Sequence, residues 1–324
     1  MNSRRIVYLT ASAKIRLPVK FMKRILITGS NGLLGQKLVY ACLQRADIEL
    51  IATSRGENRL LVQKGYTYEP MDIGNREDVM KVIGHYKPEC VIHGAAMTNV
   101  DACETERDAC RTQNIDAVEY IVAACNQAGA HLVHVSTDFI FDGESGPYDE
   151  DAEANPVSYY GWSKAEAERI VKQNAHSWAI LRTVLVYGVV DNMSRSNVVL
   201  WAKGALEKGN PINVVNDQFR MPTLAEDLAQ GCLLAADKKA QGVFNISGKE
   251  YMSIVELVER VADHYKLPKN IINPISSESL KQPAKRPPKT QLTLEKSRNI
   301  LGYIPRSFAE GLEILDQQLK GVKT

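Results

Sequence analysis

The sequence predicts an α/β fold in which a doubly wound parallel sheet is followed by a smaller C-terminal α/β lobe. Short apolar runs alternate with helical segments up to about Gly188, a pattern typical of a parallel sheet covered on both faces. A glycine-rich turn separates the first apolar run from the first helix. The chain has 324 residues, 44% of them hydrophobic, which suffices for one large core and a smaller lobe.

Six apolar runs account for the strands of the predicted sheet. They span residues 23–28, 49–53, 66–71, 90–93, 131–135 and 179–186. Helical periodicity is found at residues 36–45, 75–86, 116–128, 197–207, 224–236, 253–265 and 308–319. We therefore predict a first domain over residues 23–188 and a second lobe over residues 189–324, some of whose segments return to the first domain.

Residues 1–22 differ from the rest of the chain because they contain five basic residues and no acidic one. Their apolar stretch is short and interrupted, and Met22 directly precedes the first strand. We expect a disordered extension that is not needed for the fold, with Met22 as the alternative start. A signal or transit peptide is the competing interpretation.

The glycine turn predicts a dinucleotide site and hence a Rossmann-type domain. It reads Gly29-Ser30-Asn31-Gly32-Leu33-Leu34-Gly35, with the spacing G-x-x-G-x-x-G. Glycines allow the tight turn and the close approach of a pyrophosphate, and free N–H groups at a helix start favour its charge. No Gly-Lys-Ser/Thr follows, which excludes a mononucleotide P-loop. A turn that binds nothing is the alternative.

The end of the second strand predicts the type of dinucleotide. An acidic residue there favours an unphosphorylated ribose, but this chain has Ser54 and Arg55. A guanidinium matches a phosphate by paired hydrogen bonds, so we expect NADPH to be preferred, with NADH possible. Asp72, before Ile73, is expected either to accept a hydrogen bond from the adenine amino group or to cap the next helix.

Tyr160 and Lys164 form the candidate acid/base pair. They are four residues apart in a helical segment, so they share one helix face. A neighbouring ammonium favours the phenolate, and such a pair can move a proton to or from an alcohol oxygen.

Together these segments resemble the extended short-chain dehydrogenase/reductase superfamily, and within it the dTDP-4-dehydrorhamnose reductase family. The resemblance covers most of the chain from Lys23 onward. Besides the glycine turn and Tyr160–Lys164, the matching segments are 72–73, 93–101, Asn114, 136–143, 217–223 and 286–287. The resemblance implies an NAD(P)H-dependent reductase of a nucleotide-activated 4-dehydro sugar, a cytoplasmic protein that could form a homodimer.

The resemblance also implies roles for individual residues. Thr137 would hold the substrate carbonyl oxygen, Tyr160 would donate the proton, and Lys164 would hold the ribose hydroxyls. The implied cofactor-binding residues are Gly29, Ser30, Asn31, Gly32, Leu33, Leu34, Gly35, Ser54, Arg55, Asp72, Ile73, Ala95, Ala96, Met97, Tyr160 and Lys164. The implied substrate-binding residues are Thr98, Val100, Thr137, Asp138, Phe139, Leu185, Arg220 and Arg286.

The sequence departs from the family pattern in the expected substrate pocket. Leu185 stands where rhamnose-forming members have a tryptophan, and the segment 217–223 carries bulky side chains where a glycine is common. The sugar and the base are therefore open. A nucleotide-sugar epimerase with bound NAD is one alternative, and a non-catalytic subunit resembling the methionine adenosyltransferase β subunit is another.

Composition and residue spacing exclude several other classes of protein. The net charge of +2 calls for no nucleic-acid partner, and no apolar run approaches the ~20 residues that span a membrane. The six cysteines form no C-x-x-C pair and are expected to be reduced core thiols. His131 and His134, three apart in a strand, face opposite sides, which argues against a shared metal; no metal site is predicted.

Overall fold

The computed structural model describes residues 22–192 and 196–321. It has a central sheet with helices on both faces. Its strands are β1 (Lys23–Thr28), β2 (Ile48–Ser54), β3 (Thr67–Pro70), β4 (Cys90–His93), β5 (His131–Thr137), β6 (Trp178–Thr183), β7 (Val186–Tyr187), β8 (Ile212–Val215), β9 (Phe219–Arg220), β10 (Thr223–Leu224), β11 (Gly242–Asn245), β12 (Met252–Ser253) and β13 (Ile272–Ile275). Its α-helices are α1 (Leu33–Leu43), α2 (Arg76–Tyr86), α3 (Val100–Thr105), α4 (Arg107–Arg111), α5 (Ala117–Ala128), α6 (Tyr159–Asn174), α7 (Val198–Glu207), α8 (Ala225–Lys238), α9 (Ile254–Tyr265) and α10 (Phe308–Gly321).

Seven strands form the large sheet, in the order β11-β6-β5-β4-β1-β2-β3. Every neighbouring pair is parallel, as the alternating sequence pattern predicts. The strand order reverses beside β1, and in such sheets ligands bind beyond the carboxyl ends of the strands at this point. The register pairs Thr28 with His93 and His93 with His134, so the ends of β1, β4 and β5 lie side by side.

Two apolar layers cover the sheet, and a third cluster forms the C-terminal lobe. One layer contains Leu38, Leu228 and Phe244, and the other contains Val79, Ile121 and Ile170. Helix α8 and strand β11 come after lobe segments in the chain. Nevertheless, β11 is an edge strand of the large sheet, and α8 packs beside α1 in a layer that covers it. The lobe core is built from α7, α9, α10 and the short strands between them.

One predicted strand is wrong in its extent. The run 179–186 looks continuous, but β6 ends at Thr183, and Leu185 has a φ of 39°, a left-handed conformation that a branched residue adopts only at a cost. The chain turns there, and β7 then pairs with β10 in the lobe instead of extending the sheet.

The remaining expectations about composition concern thiols, metals and membrane spans. All six cysteines are free and buried, as predicted. Within residues 22–192 and 196–321, no helix has the length and apolarity to cross a bilayer. The same part of the chain has no group of three or more potential metal ligands. The prediction for the N-terminal extension concerns residues outside the described part, apart from Met22.

Candidate active site

The glycine turn forms a tight cradle at the end of β1. Gly29 has a φ of 75°, and a Cβ on it would lie 3.0 Å from the Ala95 Cα. A Cβ on Gly35 would lie 2.1 Å from the Gly29 carbonyl oxygen. Helix α1 begins after Gly32 with no side chain capping its N–H groups, which leaves them for an anion. The cradle therefore fits a dinucleotide pyrophosphate.

Replacing Gly35 by alanine should open this cradle. The added methyl group overpacks the turn, at a typical cost of ~1–3 kcal/mol, so we expect NADPH to bind about tenfold more weakly or worse, since tenfold corresponds to ~1.4 kcal/mol. Isothermal titration calorimetry measures the change. Gly84→Ala is the matched control, because nothing lies within 4 Å of its Cβ. Equal affinities for the two variants would contradict the packing argument.

Arg55 directly follows β2, which ends at Ser54. Its side chain is 76% exposed, and its Nη1 lies 4.0 Å from the Asp72 Oδ2. The Asp72 Oδ1 accepts from the Gly74 N–H at 2.9 Å. The alternative role of Asp72 as a helix cap is wrong, because the side chain of Asn75 caps α2. Ile73 is buried in the core.

One asparagine side chain holds the loop that follows β4. It contains Ala95, Ala96, Met97 and Thr98, before α3 begins at Val100. The Asn114 Oδ1 accepts from the Met97 N–H at 2.8 Å, and its Nδ2 donates to the Met97 carbonyl at 3.0 Å and to the Ser163 Oγ at 3.0 Å. Asn114 thus ties the predicted cofactor loop to α6, and it lies in a π-helical turn, a feature common at functional sites.

Two local features bring the start of α6 against the turn that follows β5. The Ser158 hydroxyl caps the helix by accepting from the Gly161 N–H. A Cβ on Gly161 would lie 2.1 Å from the Phe139 carbonyl oxygen, so only glycine allows this approach. Gly161 has no role predicted from the sequence, although its position between Tyr160 and Lys164 is a signal that close packing is needed there.

Tyr160 and Thr137 are hydrogen-bonded through their hydroxyl groups. The Thr137 Oγ1 also donates to the Asp138 Oδ1 at 3.1 Å and accepts from the Phe139 N–H at 3.3 Å. Its one hydrogen can point to Asp138 or to the Tyr160 oxygen, and a bond to the Tyr160 oxygen favours the phenolate. Burial raises the pKa of Tyr160 although the bond to Thr137 opposes the change, so the phenol holds its proton at neutral pH.

Lys164 lies one helical turn beyond Tyr160 and is buried. Its Nζ donates to the Val135 carbonyl at 2.8 Å and lies 3.4 Å from the His134 Nε2. Burial lowers the pKa of Lys164 to about 8, and the nearby Glu168 and Cys110 oppose that change. The predicted trio is thus assembled at the carboxyl end of β5.

The predicted role of Arg220 as a diphosphate ligand needs correction, because its guanidinium is occupied and only 3% of the residue is exposed. Its Nη1 and Nη2 donate to the carbonyls of Pro288 at 3.1 Å and Pro287 at 2.6 Å, and its Nε lies 3.8 Å from the Asp138 Oδ2. That oxygen also accepts from the Thr290 hydroxyl. Asp138 and Arg220 therefore fasten the 287–290 loop beside Thr137 instead of facing a ligand.

Arg286 also forms an ion pair, but at the rim of the candidate site. It makes two bonds to Asp101, at 3.1 and 2.7 Å, and its side chain is 17% exposed. A phosphate could replace the carboxylate there. Leu185 is half-buried between the lobe core and the Phe141–Met221 cluster, and the Phe139 ring packs edge-on against Tyr160.

The relatives of this chain include proteins of two kinds. Residues 22–320 match the family model described as RmlD substrate binding domain. The methionine adenosyltransferase 2 subunit beta of Xenopus laevis is 32% identical over 263 residues, which cover 79% of this chain and 76% of that protein. The dTDP-4-dehydrorhamnose reductase of Aggregatibacter actinomycetemcomitans is 29% identical over 304 residues, 90% and 98% of the two chains.

A comparison with solved structures also finds a dTDP-4-dehydrorhamnose reductase. A dTDP-4-dehydrorhamnose reductase from Bacillus anthracis, crystallised in complex with NADP, superposes with a TM-score of 0.78 at 28% identity. The match covers 92% of this chain and 99% of that one.

Proposed function

The chain belongs to the RmlD substrate binding domain family, and on that premise we propose that it is an NAD(P)H-dependent reductase of a nucleotide-activated 4-dehydro sugar. One observation carries the proposal. The Tyr160 hydroxyl, the Thr137 hydroxyl and the Lys164 ammonium group converge at the carboxyl end of β5, beside the cradle that fits a dinucleotide.

The chemistry follows from the positions of the three side chains. When bound, the nicotinamide cofactor supplies the hydride. The sugar carbonyl oxygen would accept a hydrogen bond from Tyr160, which gives up its proton as the oxygen becomes negative. Thr137 would turn its hydroxyl hydrogen from Asp138 to the same oxygen. Lys164 would stabilise the phenolate that remains, because an adjacent positive charge favours it.

Arg55 supports a preference for NADPH. Its exposed guanidinium at the end of β2 can form paired hydrogen bonds to a ribose 2′-phosphate. In NADH no phosphate would be present there, and the arginine would stay solvated. The ratio of the kcat/KM values for the two cofactors, in the wild type and in Arg55→Ala, tests this part of the proposal.

The reductase proposal is tested by supplying purified protein with NADPH and a panel of nucleotide-activated 4-dehydro sugars. We expect NADPH to be consumed only when a sugar is present, with one hydroxyl gained at the former carbonyl. Tight NADPH binding without consumption across the panel would contradict it. NAD that stays bound through purification, together with interconversion of sugar epimers, would indicate the epimerase alternative.

The rate of reduction should fall as the pH rises through about 8. Below its pKa of about 8 Lys164 is an ammonium that assists Tyr160, and above it this charge is lost. A profile of kcat/KM from about pH 6 to about pH 10 reports the ionisation of the free enzyme. In Lys164→Arg the residual activity should show no fall near pH 8, because a guanidinium stays protonated. A flat wild-type profile would exclude Lys164 from this role.

A binding subunit is the second candidate, favoured by the 32% identity to the methionine adenosyltransferase 2 subunit beta of Xenopus laevis. A fold can keep catalytic residues after its function has changed. This candidate predicts that the protein co-purifies with an adenosyltransferase and that Tyr160→Phe leaves the association intact.

A further inference from the structure

A buried pair of histidines lies behind the candidate active site and belongs to none of the roles described above. His134, on β5, and His93, on β4, are both fully enclosed, and their ring centres are 5.4 Å apart. The His93 Nδ1 is 2.8 Å from the Thr28 Oγ1. The His134 Nε2 is 3.4 Å from the Lys164 Nζ. The pair therefore connects the end of β1 to the lysine of the trio.

From this arrangement we infer that His134 is a positioning residue that fixes the Lys164 side chain by accepting a hydrogen bond at Nε2. Lys164 is a donor only, with three hydrogens. The Val135 carbonyl accepts one of them. A second acceptor on the neighbouring residue of the same strand restricts the ammonium group to one place, one helical turn from the phenol of Tyr160.

The charge of the imidazole allows this role. Burial and the nearby ammonium lower the pKa of His134 well below its usual value, and burial lowers the pKa of His93 to about 3. Both rings are neutral at physiological pH, so neither competes with Lys164 for charge. An acceptor bond to Nε2 places the ring hydrogen on Nδ1, and that atom has no partner within the described residues.

Other groups around Lys164 set its charge but cannot replace this contact. Glu168, on α6, and Cys110, on α4, favour the ammonium form through their charge, and no bond from either to the Nζ is found among the described residues. The charge of Lys164 also acts on His93, whose pKa it lowers further after burial. Removing the acceptor at His134 should therefore destabilise the ammonium form of Lys164 and allow its side chain to move.

The test is a direct titration of Lys164 in the cofactor-free protein, followed by its ¹³Cε resonance in lysine-labelled protein and assigned by its loss in Lys164→Arg. We expect a midpoint near 8 in the wild type. In His134→Leu the midpoint should fall by about one to two pH units, a tenfold to hundredfold change in the dissociation constant. The pH at which reduction fails should move down by the same amount.

Three variants complete the design. His134→Gln keeps an amide oxygen near the place of Nε2 and should restore a midpoint close to that of the wild type. His134→Asn is polar but too short to reach Lys164 and should behave like the leucine variant, which keeps the test open if His134→Leu does not fold. His131→Leu is the matched control, since this buried histidine of the same strand contacts Ser177 at 2.8 Å instead.

An unchanged midpoint in His134→Leu or His134→Asn overturns the inference, and so does an equal shift in His131→Leu. The catalytic meaning of the contact rests on the proposed reductase function, but the titration does not require turnover. A wild-type protein that titrates as expected and reduces no sugar would contradict the proposed function alone.

Discussion

Tyr160→Phe should lower the turnover number by about 10²–10⁴-fold, the usual contribution of a general acid. The variant loses only the hydroxyl that is hydrogen-bonded to Thr137. The ring keeps its contact with Phe139, so NADPH affinity and the unfolding midpoint should stay near those of the wild type. Steady-state and single-turnover assays with NADPH and the accepted sugar measure the loss.

Tyr159→Phe is the matched control for this prediction. The neighbouring tyrosine is half-buried, and its ring packs at a tilt against Trp162 and lies under the Arg107 guanidinium, so its variant should keep full turnover. If Tyr160→Phe also keeps full turnover, the proton comes from another group and the proposed role of Tyr160 is wrong.

Glu168→Gln should reduce the free energy of unfolding by about 3–5 kcal/mol, the usual cost of breaking a buried ion pair. The Glu168 carboxylate accepts from the Arg182 Nε and Nη2 at 3.0 and 2.9 Å, and both side chains are at most 3% exposed. Burial alone would raise the pKa of Glu168, but the bonds from Arg182 outweigh it and hold that pKa below its usual value. The wild type should therefore lose this contribution only as acid protonates Glu168, whereas the variant lacks it at neutral pH.

A matched pair on the same helix provides the control. Glu166 and Arg169 form an ion pair at the surface of α6, and such pairs are worth about 0–1 kcal/mol. Urea unfolding curves of Glu166→Gln and Glu168→Gln should therefore differ by several kcal/mol. Equal curves would show that the Glu168–Arg182 pair does not hold α6 against β6.

The candidate catalytic centre is predictable from the sequence because its residues are close together in the chain. Tyr160 and Lys164 are one helical turn apart, and Thr137 follows an apolar strand whose direction a parallel sheet dictates. The glycine turn was predictable for the same reason. Even the required closeness of α6 to the turn after β5 leaves a mark in the sequence, at Gly161.

The environment of the centre was not accessible because it depends on distant segments. Arg220 looks like a free cation in sequence, yet the carbonyls that occupy it belong to Pro287 and Pro288, and only the folded chain brings them together. Thr290 and His134 belong to no sequence motif that would indicate their roles. The left-handed turn at Leu185 interrupts a run that reads as one strand, and residue propensities favour the strand.

The claim that this chain reduces a sugar, and does not only bind one, is tested most directly by a single turnover. Protein loaded with NADPH is mixed with a limiting amount of a nucleotide-activated 4-dehydro sugar, and the absorbance of NADPH and the carbon-bound deuterium transferred from labelled cofactor are followed. We predict loss of one NADPH per sugar, with deuterium at the former carbonyl carbon. Sugar that binds while NADPH and the carbonyl both persist would contradict the account.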